Sequence, residues 1–324
     1  MTMKKILMIS TGGTIASEPG PDGLVPKVDG AAMVRMIPEL AGLCSISCRE
    51  LLSLDSSNIQ PHHWSAMARA VADDYDGYDG FVITHGTDTM AYTTSALSWM
   101  LQNLGKPVAV TGAQLPIEDP RTDGKTNILN AFRVAASGRA GVYLVFGDKV
   151  IRGCCAKKMH TEQFNAFYSV NEPPAAEITA SGLEWTAAAT AAPEGKFQAM
   201  PTVDKEVLLI KLVPGSSPSI MDFALAHGYR AVVIEGFGAG GVPNDENSFL
   251  PALEKALKAG MIVVCASQCV YDGVNLGIYE IGVLAARLGA VSAGKMTTEA
   301  VCTKLMWALG NAATSEEAKK IFLE

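Results

Sequence analysis

The residues able to do chemistry gather at three places, each where a short β-rich run gives way to glycine and hydroxyl side chains. KKILMIS runs into Thr11-Gly12-Gly13-Thr14, FVIT into His85-Gly86-Thr87-Asp88-Thr89, and PVAV into Thr111-Gly112-Ala113-Gln114. Glycine lets the backbone turn tightly and come close to a ligand. A threonine hydroxyl binds well but attacks poorly, and needs a base in a shielded polar site. Asp88 is a candidate to orient such a base, and a desolvated lysine is a candidate base. Arg152-Gly153-Cys154-Cys155-Ala156-Lys157-Lys158 offers two lysines. Taken alone, these lysines read as a solvated surface pair, and one strand ending in Gly-Gly reads as a turn. The recurrence of the pattern three times raises nucleophilic chemistry above those plainer readings.

Other chemistries find no support. TGGTIASEPG fits neither the P-loop nor the dinucleotide fingerprint. His85 invites a serine-histidine-aspartate triad, but no G-x-S-x-G elbow accompanies it. With five histidines and no H-E-x-x-H, a metal hydrolase is unsupported. The seven cysteines form no C-x-x-C pair, and Cys44/Cys48 and Cys265/Cys269 lack a matching histidine cluster. Neither a metal nor a cofactor is therefore expected. Free thiols in a reducing cytoplasm are the expected state.

These candidates need elements to position them. Hydrophobic residues make up 48% of the 324 and charged ones 18%, enough apolar material for sizeable cores. The net charge is −7 and no basic stripe appears, which argues against a nucleic-acid partner. The opening MTMKKILMIS is too short for a signal h-region or a membrane span and reads as a buried strand, so the expected location is cytoplasmic.

Strands are expected at 4–10, 45–52, 81–86, 107–112 and 141–148, alternating with helices at 31–40, 62–75, 93–105 and 125–138, the last two closed by Gly105 and Gly138. The alternation resumes with strands at 207–215, 231–241 and 261–269 and helices near 217–227, 246–259 and 297–310. This pattern predicts two three-layer α/β domains with mainly parallel sheets, a larger N-terminal and a smaller C-terminal one. The expected boundaries are 1–188 for the catalytic domain, 189–206 for an Ala- and Pro-rich linker, and 207–324 for the second domain. In open parallel sheets ligands bind beyond the carboxyl ends of the strands, where the three motifs fall. Residues 17–30, rich in Pro and Gly, read as a loop able to serve as a lid.

TGGTI at 11–15 and HGTDTM at 85–90 together resemble the two signatures of bacterial-type L-asparaginases. LDSSN (54–58), RTDGKTNILNAF (121–132), IRGCCAKK (151–158) and MTTEAVCTKL (296–305) are similar to the cytoplasmic type I branch, and the similarity spans nearly the whole chain. The resemblance implies hydrolysis of L-asparagine to L-aspartate and ammonia through an acyl-enzyme on Thr14. Thr87, Asp88 and Lys158 would form the second catalytic group. Asp55, Ser56 and Ser57, together with Asp88, would hold the α-amino and α-carboxylate ends of the substrate. Backbone groups around Gly12, Gly13, Gly86 and Thr87 would line the oxyanion site, and Ala113 would lie near the amide. The family also implies a homotetramer built as a dimer of dimers, or a homodimer, with Tyr279 contributed by a neighbouring protomer.

Two departures stand out. Leu24 falls where the family often carries a lid tyrosine. Lys157 and Glu235 fall where some type I enzymes place a threonine and an arginine for a second, allosteric asparagine, so that site is expected to be absent or altered. The competing readings are a glutamine-deamidating amidotransferase subunit, which normally has an extra N-terminal domain whereas TGGTI here begins at residue 11, and a catalytically inactive amino-acid sensor.

Overall fold

A computed structural model describes residues 3–21, 23–191 and 193–324, without the side chains of Pro19, Leu24 and Pro26. The chain divides into two compact units, with the boundary between Pro201 and Thr202.

The first unit is built on an eight-stranded sheet. From one edge its strands run Ser45–Leu54, Lys5–Gly12, Gly80–Thr84, Pro107–Thr111, Gly141–Phe146, Lys149–Arg152, Ala176–Thr179 and Gly182–Trp185. The first five pair in parallel. The last three add antiparallel, beginning with a hairpin through Gly147 at φ 60°. Sequence periodicity did not anticipate that edge, whose short strands alternate weakly.

The central strands are buried throughout, as runs such as GFVIT and PVAVT require when both faces are covered. On one face Ile6, Met8, Val82, Ala109 and Val145 pack with Met33, Ile128 and Phe132 from the helices. The alternate residues Leu7, Ile9, Phe81, Ile83, Val108 and Val110 are buried as well, so the sheet is the middle of three layers.

Among the five parallel strands the chain order is 2-1-3-4-5, which reverses direction between Lys5–Gly12 and Gly80–Thr84. That is the switch point at which open α/β sheets leave a crevice beyond their carboxyl ends. The two signature motifs follow these two strands.

Several local expectations are corrected. The helix expected at 31–40 is Gly30–Arg35 followed by a 3-10 turn at Pro38–Gly42, because Pro38 cannot continue the hydrogen-bond ladder. Helix Met90–Met100 stops short of Gly105: Leu101–Gln102 leaves it to pair with Gln198–Ala199, and Asn103 takes the left-handed φ of 51°. Helix Gly124–Ala136 does end just before Gly138, which turns the chain at φ 75°. Part of the expected linker is packed onto the first unit, where Phe197 stacks on Tyr75 with ring centroids 3.8 Å apart. The loop at 17–30 contains an antiparallel hairpin, Ser17–Gly20 with Gly23–Pro26.

The second unit has a four-stranded parallel sheet, Val207–Lys211, Ala231–Gly236, Ile262–Ser267 and Val291–Ser292. Val232, Ile234, Val263 and Cys265 pack with Met221, Phe249, Leu253 and Ala285 to form its core. Helices Glu280–Leu288 and Ser315–Leu323 escaped the periodicity reading.

Candidate active site

The site forms where two strand ends nearly touch. Strand Lys5–Gly12 leaves the sheet through Gly12 at φ 99° and Gly13 at φ 85°, and Gly13 N–H donates to the Leu54 carbonyl at 2.9 Å. A Cβ on Gly13 would lie 2.3 Å from the backbone nitrogen of Gly86, and one on Gly86 would lie 2.6 Å from Ser56 Oγ. Only glycine permits this approach. Gly13, Gly86 and Ser56 thus meet from three separate segments. Thr14 opens the 3-10 turn Thr14–Ala16 directly after Gly13, and its side chain is half-buried. Among the described residues no partner holds its hydroxyl by a hydrogen bond.

Thr87, Asp88 and Lys158 converge. Lys158 Nζ donates to Thr87 Oγ1 at 2.8 Å and to Asp88 Oδ1 at 2.6 Å. Thr87 is buried, the Lys158 side chain is 17% exposed, and that of Asp88 is 59% exposed. The lysine therefore reaches the threonine from within, while the carboxylate faces outward. Lys158 arrives on strand Ala156–Lys158, which pairs with Phe167–Ser169.

Asp55 caps the turn Ser56–Asn58 by accepting Ser57 N–H at 2.8 Å. Asp55 and Ser57 are exposed, whereas Ser56 is buried. Ser56 Oγ accepts the N–H of Asp88 at 3.2 Å, and its carbonyl accepts the Thr89 hydroxyl at 2.8 Å. Ser56 thus braces the second motif and keeps its own hydroxyl hydrogen to offer. Ala113 is fully buried, with its methyl 3.3 Å from where a Cβ on Gly124 would stand.

Two residues given no role by sequence reading belong to the frame. Gln114 Oε1 accepts the Thr87 hydroxyl at 3.4 Å, and its Nε2 donates to the Thr161 and Gln163 carbonyls at 3.0 and 3.1 Å. Asp123 stands just before helix Gly124–Ala136, and its carboxylate accepts the N–H groups of Gln114 at 3.0 Å and Leu115 at 3.2 Å rather than capping the helix. Gln114 directly follows the third strand-end motif, which was the available signal. No sequence signal distinguishes Asp123 from an ordinary cap.

His85 takes no part in a triad. It is fully buried, and burial pushes its imidazole down to about 4. Cys154 and Cys155 lie on the turn before Lys158 with sulfurs 3.9 Å apart. A hydrogen bond with the Cys155 thiol, helped by the Arg152 guanidinium, holds the Cys154 thiol below the usual range against the opposing effect of burial.

The side chain of Leu24 is outside the described residues. Tyr279 is in the second unit, 63% exposed, at the start of helix Glu280–Leu288. Glu235, on strand Ala231–Gly236, accepts the Thr298 hydroxyl and lies 4.0 Å from Lys211 Nζ. No group of three or more potential metal ligands occurs among the described residues, and no helix there is long and apolar enough to cross a membrane.

The arrangement offers a hydroxyl at a glycine-lined strand end, with a lysine-threonine-aspartate cluster on the neighbouring strand end. Such a pairing suits attack on a carbonyl carbon with proton transfer nearby. Comparison with known proteins finds matches over both units. The family model for the asparaginase N-terminal domain matches residues 5–191, and that for the glutaminase/asparaginase C-terminal domain matches residues 206–322. The chain is 39% identical over 322 residues to an L-asparaginase of Thermococcus kodakarensis, covering 98% of this chain and 96% of that protein. It is 36% identical over 335 residues to one component of the glutamyl-tRNA(Gln) amidotransferase of Pyrococcus abyssi, covering 99% of this chain and 75% of that protein. The solved structure of L-asparaginase I from Vibrio cholerae superposes with a TM-score of 0.89 at 35% identity, over 100% of this chain and 98% of that one.

Proposed function

The chain belongs to the asparaginase family, and from that premise we propose that it hydrolyses L-asparagine to L-aspartate and ammonia through an ester on Thr14. The observation that carries the residue assignment is the double hydrogen bond of Lys158 to Thr87 at 2.8 Å and Asp88 at 2.6 Å, beside the strand end that bears Thr14.

Thr14 Oγ attacks the side-chain amide carbon. Its proton is passed to the amide nitrogen, which leaves as ammonia. Water then cleaves the aspartyl ester and returns a proton to Thr14. The Thr87-Asp88-Lys158 cluster handles these protons, with the Thr87 hydroxyl nearest the reacting groups and Lys158 tuning it. Backbone N–H groups near Gly13 and Thr87 stabilise the oxyanion, a contribution worth about 2.7–4 kcal/mol for a single donor. Asp55 and Asp88 present exposed carboxylates suited to an α-ammonium group, and the hydroxyls of Ser56 and Ser57 suit an α-carboxylate.

Cytoplasmic location fits seven cysteines that remain thiols. The surface formed by Phe237, Ile278 and Tyr279 in the second unit is apolar and exposed, which supports a neighbouring protomer in a homotetramer or homodimer. The allosteric asparagine site is absent or altered on this reading: Lys157 and Glu235 stand where the resemblance implies a threonine and an arginine, and the Glu235 carboxylate is engaged by Thr298. Ammonia release measured side by side on L-asparagine, L-glutamine and D-asparagine tests the activity. Fastest turnover of L-asparagine along a hyperbolic rate curve is expected. Preference for glutamine defeats the substrate assignment, and a sigmoidal curve defeats the missing effector site.

A further inference from the structure

Behind the turn that carries Thr87, buried groups form an unbroken hydrogen-bond chain. Trp64 Nε1–H donates to Thr93 Oγ1 at 3.1 Å. Thr93 Oγ1 lies 2.9 Å from His85 Nε2, and His85 Nδ1 lies 2.7 Å from the Gly86 carbonyl oxygen. Trp64, Thr93 and His85 are all buried, at 6%, 0% and 0% exposure.

The protons sort in one way. A carbonyl oxygen only accepts, so His85 Nδ1 carries a hydrogen. A neutral imidazole has one N–H, so Nε2 is the acceptor and the Thr93 hydroxyl donates to it. The indole N–H only donates. Burial, which disfavours the charged ring, keeps His85 neutral near pH 7. All donors therefore point in one sense, from Trp64 toward the Gly86–Thr87 peptide.

That peptide is trans, as are all those described, so its carbonyl and its N–H point in opposite directions. With the Gly86 carbonyl fixed against the imidazole, the Thr87 N–H is aimed away from the buried ring. No described residue accepts it. The backbone on either side is also pinned: His85 N–H donates to the Thr111 carbonyl at 2.8 Å, and Asp88 N–H to Ser56 Oγ at 3.2 Å.

We propose that His85, held by Thr93 and Trp64, is a positioning residue that aims and polarises the Thr87 N–H toward the oxygen that turns negative when the substrate amide is attacked. Hydrogen bonds in series polarise one another, so donation onto the Gly86 carbonyl strengthens the N–H at the other end of the same peptide. This rests on the threonine-ester reading above. The relay acts on the transition state, where the oxygen carries charge, more than on the bound substrate.

The test pairs Thr93→Val, which removes the hydroxyl and keeps the shape, with Thr93→Ser, which keeps the hydroxyl. Expected for Thr93→Val is a fall in kcat for asparagine of about tenfold, a fraction of what deleting an oxyanion donor costs, with KM within about twofold and a lowered thermal transition, because the Trp64 N–H and His85 Nε2 lose their buried partner. Thr93→Ser is expected to stay near the parent rate. Equal turnover in Thr93→Val, equal slowing of both variants, or a change confined to KM overturns the relay. Nitrogen-15 NMR of the imidazole in the unaltered protein gives a readout free of catalysis: Nδ1 protonated and Nε2 bare is expected, and the opposite tautomer overturns the proposal even if neither variant folds. A parent protein that releases no ammonia from asparagine defeats the functional reading, while the NMR tautomer still judges the relay's geometry.

Discussion

Lys158 Nζ lies 2.8 Å from the hydroxyl of Thr87, a residue 71 positions earlier in the chain. The contact joins the end of a central parallel strand to the short antiparallel strand Ala156–Lys158. In isolation an adjacent lysine pair reads as solvent-facing. Here the Lys158 side chain is mostly buried, and the groups it donates to are a threonine and an aspartate. A buried ammonium without such partners would be costly. The cluster and the packing around it therefore require one another.

Lys158→Met keeps the length of the side chain and removes both hydrogen bonds. Asparagine turnover is expected to fall by about 10²–10⁴, the range for losing a proton-handling group, with the fold retained by circular dichroism. A variant within tenfold of the parent would remove Lys158 from the catalytic set.

Thr14→Ala removes the proposed nucleophile from a position where its hydroxyl has no described hydrogen-bond partner, so stability should change by less than about 1 kcal/mol. Ammonia release should drop by at least about a thousandfold. Acid-quenched intact mass of a variant slowed in ester cleavage, such as Thr87→Ala, should show an aspartyl adduct on the peptide containing Thr14. Its appearance on another peptide would move the nucleophile.

Gly13→Ala brings a Cβ to within 2.3 Å of the Gly86 backbone nitrogen at a φ of 85°. Strain and overlap together are expected to cost about 2–5 kcal/mol, read as a lower urea midpoint, with activity lost as well. Unchanged stability would mean that the two strand ends do not approach as closely as the structure shows.

His85 makes stability depend on pH. Its folded value, pushed down by burial to about 4, lies below the unfolded value of about 6.5. Between those values the unfolded chain binds the proton and the folded chain does not. The stabilisation is thus full above about pH 6.5 and is lost as pH falls toward 4, by up to about 3 kcal/mol at this site. Denaturant unfolding from pH 7 to 4.5 should show a steeper loss in the parent than in His85→Asn. Parallel curves would contradict a buried neutral imidazole.

Cys154 should alkylate faster than Cys44 and Cys265. Its thiol, held below the usual range by the Cys155 thiol and the Arg152 guanidinium, lines a cavity of about 270 Å³ together with Ser98, Arg152 and Thr190. Its reaction with iodoacetamide near pH 7.5, followed by peptide mass, should be the faster one. Buried Cys44 and Cys265, both raised to about 11, should remain slow. A Cys154 rate at pH 7.5 no faster than those of Cys44 and Cys265 would rule out the lowered thiol.

Strand identity and parallel pairing were legible in the sequence because both are local. Continuous apolar runs such as GFVIT mark strands covered on both faces, and glycine with threonine at their ends marks the carboxyl edge where a ligand can sit. The resemblance of TGGTI and HGTDTM to two known signatures singled out Thr14, Thr87 and Asp88, and IRGCCAKK singled out Lys158. What only the tertiary structure decided are relationships between segments distant in the chain. It placed Gly13 against Gly86 and Ser56, made Asp123 an anchor for the loop at Gln114, and drew residues 198–199 out of the expected linker onto Leu101–Gln102. It also turned His85 inward, onto Thr93 and the Gly86 carbonyl, a role that its place in the HGTDT motif did not disclose. Periodicity reports which face of an element is buried. It carries no information about which polar partner awaits a side chain across 30 or 70 residues, because that partner is set by the packing of the whole sheet and its helices.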